Sequence, residues 1–151
     1  ATLIPAGHWQ FRDVSLRFYL TARGLAEQQP ADGLFAGSVQ LAGYGVQRSG
    51  DQWFVALHWH AVLTLIGNRT VFVHAVDAAG NLVGQGDSPP DDGRLPTGAW
   101  TAGSDIYDLP RLSLPPSPGA YHLVIGWYDP ATNRRMTLPS GADSVDLGPL
   151  P

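Results

Sequence analysis

The stretch that decides the fold is WFVALHWHA, residues 53–61. Trp53, Val55, Leu57, Trp59 and Ala61 fall on one side of an extended chain; Phe54, Ala56, His58, His60 and then Val62 fall on the other. Successive side chains of a strand point to opposite faces, so every second residue shares one. The first set is wholly apolar, which is what a strand facing a core requires. Ser49-Gly50-Asp51 reads as a tight turn leading into it.

Working outward, the same grammar repeats. Before the turn, Val39, Leu41 and Tyr44 form a run interrupted by Gly43 and Gly45, and further back Val14, Leu16, Phe18 and Leu20 alternate with polar residues. Between those runs TARGLAEQQ, residues 21–29, has room for one or two helical turns before Pro30 ends it. After residue 61, Gly67-Asn68 turns the chain into a run over residues 69–77. Residues 77–81 then read as a hairpin loop, with Gly80 supplying a positive φ, before Leu82-Val83 return. Residues 85–103 are a long turn-rich loop. Residues 106–114 form a weaker strand broken by Pro110 and therefore suited to an edge. A turn follows at residues 115–119. Residues 121–129 are a strong strand whose core face is Tyr121, Leu123, Ile125 and Trp127. A turn at 129–133 precedes residues 134–138, and Val145 with Leu147 adds a final strand. Seven to nine short strands at this spacing predict an all-β, two-sheet β-sandwich, with immunoglobulin-like and jelly-roll topologies both open. Residues 1–34 read as an N-terminal strand and connecting segment packed on the sandwich, and residues 35–151 as its body, a single domain overall.

Composition narrows the function. At 151 residues the chain is long enough to bury a core without staples, and it contains no cysteine, so thiol nucleophiles, disulfides and cysteine-held zinc are excluded. Its net charge of −4 argues against a nucleic-acid partner, which requires clustered cations. All nine basic residues are arginine. No apolar run approaches the roughly 20 residues of a membrane-spanning helix, so no membrane insertion is expected of this segment. The opening residues 1–5 look like a cut boundary.

An ordered set of signatures prompts a comparison: Val71-Phe72-Val73-His74, Asp77-Ala78-Ala79-Gly80, QGDSPP at 85–90, Pro96-Thr97 with Trp100, Pro118-Gly119-Ala120-Tyr121, and Gly126-Trp127-Tyr128-Asp129-Pro130-Ala131-Thr132. Leu41-Ala42-Gly43-Tyr44 and the Trp59 strand fit its beginning. Over residues 35–138 the chain resembles the β-sandwich module at the extracytoplasmic C-terminal end of large bacterial membrane proteins. Several of those proteins resemble polytopic glycosyltransferases of the lipid-linked-sugar, mannosyltransferase-like type, especially in Chloroflexi-like bacteria. The resemblance implies an extracytoplasmic, non-catalytic accessory domain whose partner is the remainder of a larger membrane or envelope protein. It carries over no glycosyltransferase active site and no cofactor. His58 and His60 depart from the pattern, and the first 34 residues have no counterpart in it.

Three candidate sites follow from the residues. His58 and His60, two apart on one strand, point the same way and could share Zn²⁺ or Cu²⁺ if His74 or Asp77 approached from a neighbouring strand. The plainer reading is that they make local hydrogen bonds, with His74 satisfying the 85–87 segment. Asp87, Asp91, Asp92, Asp105 and Asp108 supply oxygens that could suit calcium, yet lack the DxDxDG spacing and are common turn formers. Trp100 and Tyr107, at the long loop, are the aromatics expected to be exposed for stacking on a sugar ring, with Asp87 and Asp105 as hydrogen-bond partners. Trp53, Trp59 and Trp127 belong to the core instead. The functional expectation is a structural or ligand-presenting module, with a carbohydrate-binding module and a metal-binding protein or enzyme on His58, His60 and His74 as alternatives.

Overall fold

The computed structural model describes residues 3–12, 14–115 and 120–150. Residue 115 ends a described segment, and the rest of the turn expected at 115–119 lies outside the described residues. The strands are β1 (Leu3–Phe11), β2 (Val14–Thr21), β3 (Gln29–Phe35), β4 (Val39–Ser49), β5 (Gln52–Ala61), β6 (Thr70–Val76), β7 (Leu82–Gln85), β8 (Asp105–Asp108), β9 (Arg111–Ser113), β10 (His122–Tyr128) and β11 (Val145–Pro149). One short helix, α1 (Ala22–Ala26), follows β2. All the pairings are antiparallel.

Two sheets form the sandwich. One has the order β3-β4-β5-β8, with β9 continuing along β5; the other has the order β11-β10-β6-β7. The chain therefore crosses between sheets after β5, after β7 and after β9. The alternation over residues 53–61 holds: Trp53, Val55, Leu57, Trp59 and Ala61 join Val71, Val73, Ala75, Leu123, Ile125 and Trp127 in one buried cluster. Trp127 is its hub, with its ring centroid 4.7 Å from Trp59 and 5.7 Å from Trp100, both edge-on. The indole nitrogens of Trp59 and Trp127 are buried without a hydrogen-bond partner, at a cost of about 1–3 kcal/mol each.

The outer face of β5 is half covered. α1 lays Leu25 and Ala26 on Phe54 and Ala56, and Ile4 completes this second apolar cluster. Thr21 caps the helix by accepting from the Gly24 amide. The approach is backbone to backbone: a Cβ at Gly45 would collide with the Leu25 carbonyl, and one at Gly43 would sit 2.6 Å from that of Ala26. Glycine is therefore required where β4 passes beneath the helix.

Glycines also let the two sheets close at their sides. A Cβ at Gly33 in β3 would strike Val145 of β11; one at Gly84 in β7 would strike Leu114, and one at Gly86 the Arg111 carbonyl beside β9. The Tyr44 hydroxyl donates to the Leu147 carbonyl across the first of these seams.

The eleven strands among the described residues exceed the seven to nine expected, for identifiable reasons. β1 and β3 hide behind Pro5, Gly7, Pro30 and Gly33, each pairing through an irregularity in register. Residues 106–114 divide at Pro110 into β8 and β9, which together edge β5 as expected. Residues 134–138 make only an isolated bridge, Arg135 to Tyr128. The long loop is pinned, not free. Thr97 is fully buried, its Oγ1 accepting from the Arg69 amide at 2.8 Å and donating to the Gly67 carbonyl at 3.1 Å.

Candidate functional site

The alternation that buries Trp59 places His58 and His60 on the outer face of β5, opposite β8. Residue 60 pairs with 105 and residue 58 with 107 in the register. Asp105 reaches between the imidazoles: His58 Nε2 lies 2.9 Å and His60 Nδ1 3.0 Å from the same oxygen, Oδ1. Those contacts, His60 first, hold the Asp105 carboxyl below its ordinary pKa. Tyr107 stacks on His58 with centroids 4.6 Å apart, and its hydroxyl donates to Glu27 at the end of α1. Burial first and then Glu27 raise the Tyr107 pKa. Glu27 is bound in turn by Arg23 Nε at 2.9 Å, which with Tyr107 lowers its carboxyl. The result is one continuous polar chain, Arg23–Glu27–Tyr107–His58–Asp105–His60, tying helix to sheet.

His74 does not join it. On β6 its neighbours Val73 and Ala75 face the core, so His74 points out from the other sheet, with the whole sandwich between it and His58. The expected three-histidine grouping is thus not brought together, and Asp77 is engaged by the Ala79 and Asn81 amides in its own turn. Among the described residues no cluster of three or more histidine or acidic side chains is arranged to hold a metal ion. His74 Nε2 instead lies 3.2 Å from Asp87 Oδ1, which is the plainer reading of both.

The acidic group also disperses. Asp91 pairs with Arg94 at 2.6 Å, Asp105 with the histidines and Asp87 with His74. Asp108 is buried, its Oδ1 accepting from the Asp91 and Leu109 amides at 2.9 Å each while Oδ2 has no partner. Burial pushes its pKa up to about 6 against those two donors. Asp91 and Asp92 stand at φ 50° and 53°, and the Asp108 carboxylate secures that strained turn.

Trp100 corrects an expectation. It is 4% exposed, packed on Trp127 with its Nε1 donating to the Leu95 carbonyl, so it offers no face to a sugar. Tyr107 is half-buried against His58, and Asp87 is on the opposite sheet from Asp105 and Tyr107. The four residues grouped for glycan contact therefore do not form one site.

A pocket that sequence reading did not find opens on the outer face of the four-stranded sheet. Phe72, His74, Asp87, Tyr128, Asn133 and Arg135 line about 310 Å³. Phe72 is its floor: the ring lies across Gly126 on the adjacent β10, where any Cβ would collide with it. Arg135 covers that ring at 4.3 Å and binds Asp143 at 3.1 Å, so the guanidinium is fixed on two sides. Asn133 stands at φ 56° in a turn whose Ala131 amide donates to Asp129. Among the described residues, the Tyr128 hydroxyl and the Asn133 side-chain carboxamide have no hydrogen-bond partner within the protein. The only signal in the sequence was the outward alternation of Phe72, His74 and Tyr128 on two neighbouring strands. A further cleft of about 430 Å³ lies between β1–β2 and β4, but its Gln47 and Arg48 side chains are already bonded to nearby carbonyls.

No family model matches the chain, and neither a curated protein nor a solved structure matches it. No helix among the described residues is long and apolar enough to cross a membrane. The expected kinship with a glycosyltransferase-type parent rests on the quoted residues alone.

Proposed function

We propose that this chain is a non-catalytic β-sandwich module that holds a carbohydrate on its four-stranded sheet on behalf of a larger bacterial envelope protein. One observation carries the reading. The Phe72–Tyr128–Arg135 pocket combines two unspent polar side chains, Tyr128 and Asn133, with two pre-oriented pairs, His74–Asp87 and Arg135–Asp143. Sugars present hydroxyls that both donate and accept. The Asp87 carboxylate and the Arg135 guanidinium, each held by its ion pair beside the sheet, meet them at little entropic cost. The phenol adds an amphipathic ring at the rim. The extracytoplasmic setting and the larger parent protein follow from the resemblance of residues 35–138.

Affinity gel electrophoresis against a panel of soluble polysaccharides tests the reading. Retardation by at least one polysaccharide, lost in Asn133→Ala and Tyr128→Ala, is expected. Mobility unchanged across neutral and acidic polysaccharides alike would remove the carbohydrate assignment.

A further inference from the structure

Arg135 belongs to two cavities. Beyond it, Ala36, Arg69, Asp129, Thr132, Arg134, Arg135, Met136 and Thr137 line a second space of about 310 Å³. Three of the nine arginines of a chain with net charge −4 meet there. Their carboxylate partners do not balance them. Arg69 stands 3.8 Å from Asp129, a loose pairing, and Arg135 is bound to Asp143 at 3.1 Å. Arg134 has no side-chain partner among the described residues. Asp129 is also committed elsewhere, since its Oδ1 accepts from the Ala131 amide. That bond, together with the Asn133 amide donating to the Asp129 carbonyl, fixes the turn from which Arg134 and Arg135 emerge. The Thr132 and Thr137 hydroxyls stand in the same lining as further donors.

A concave surface that sets three guanidiniums against the single carboxylate of Asp129, with Arg134 uncompensated, suits an oxyanion, because arginine forks match carboxylate and phosphate geometry. From the shared Arg135 we infer that the two cavities are one ligand site, and that it takes a sugar bearing an oxyanion, either a uronate carboxylate or a phosphate ester. This rests on the carbohydrate reading above: the ring lies at Tyr128 and Asn133 and the anionic substituent at Arg134 and Arg69.

The test is an amide NMR titration of the whole chain with glucose, galactose, glucuronate, galacturonate, glucose 6-phosphate and inorganic phosphate. An acidic sugar should move the amides of residues 128 and 133–135 at concentrations at least about fivefold below its neutral counterpart, as for one added charge-assisted contact. Arg134→Gln should bring the acidic sugar to the level of the neutral one, and rising salt should do the same. Uronate against sugar phosphate identifies the anion. Equal titration by neutral and acidic sugars would overturn the oxyanion site and leave the carbohydrate reading standing. Shifts from inorganic phosphate without any from a sugar would overturn the carbohydrate reading and the inference built on it. Silence from all six probes overturns both.

Discussion

Replacing Asp108 by asparagine should abolish one specific part of the protein's pH dependence. The carboxyl is 2% exposed, with Oδ1 holding two amides and Oδ2 without a partner. Its pKa is raised from the ordinary 3.8 to about 6 by burial. A carboxyl with a raised folded-state pKa binds its proton more tightly when folded. Its stabilising contribution is therefore complete below about pH 3.8 and is lost as pH rises through about 6. The full span of that shift is about 3 kcal/mol, of which a little under half falls between pH 5 and pH 8. Asparagine keeps an oxygen for the Asp91 and Leu109 amides and never ionises. Urea unfolding of both proteins at pH 5 and pH 8 isolates the effect, since every other group is common to the two and cancels in the difference. The native protein should lose roughly 1–2 kcal/mol more than Asp108→Asn over this interval. Parallel profiles would refute the argument and mean that the folded protein hydrates Asp108 in solution.

Two further positions probe how the fold is held together. Gly45→Ala forces a methyl group onto the Leu25 carbonyl and should cost about 1–3 kcal/mol in chemical denaturation, with α1 displaced. Wild-type stability there would show that the helix does not rest on β4. Thr97→Val preserves shape but removes the hydroxyl serving Arg69 and Gly67, and should cost about 2–4 kcal/mol, while Thr97→Ser costs less than half of that. Equal losses for the two would assign the effect to the methyl group.

The sandwich was legible because its strongest strands, β5 and β10, place large apolar residues strictly on alternate positions. Residues 3–11 and 29–35 were not, because proline and glycine in them signal turns locally, and only pairing with β2 and β4 makes them strands. The site was less legible still. Alternation tells which residues share a face of one strand, so His58 and His60 were rightly grouped. It does not tell which sheet a strand joins, and the crossover after β5 sends His74 to the far side. Trp100 sits among turn residues that signal exposure, yet the loop folds back over Trp127. Arg135 is the converse case. Nothing local marks it, and its importance comes from standing over Phe72, 63 positions earlier in the chain.

The glycines at the sides of the sandwich bear on how the molecule behaves in a crowd. An open sheet edge is a template on which another chain can add a strand, and long flat edges seed aggregates. Here Gly33 lets β3 close against β11, and Gly84 and Gly86 let β7 close against β9, so each seam turns its margins toward the other. Pro30, Pro110 and Pro149 remove donors along the same margins. Any sandwich with open sheet edges needs that protection. In this chain it comes from absent side chains: the notches that bring the sheets together also deny a neighbour its template.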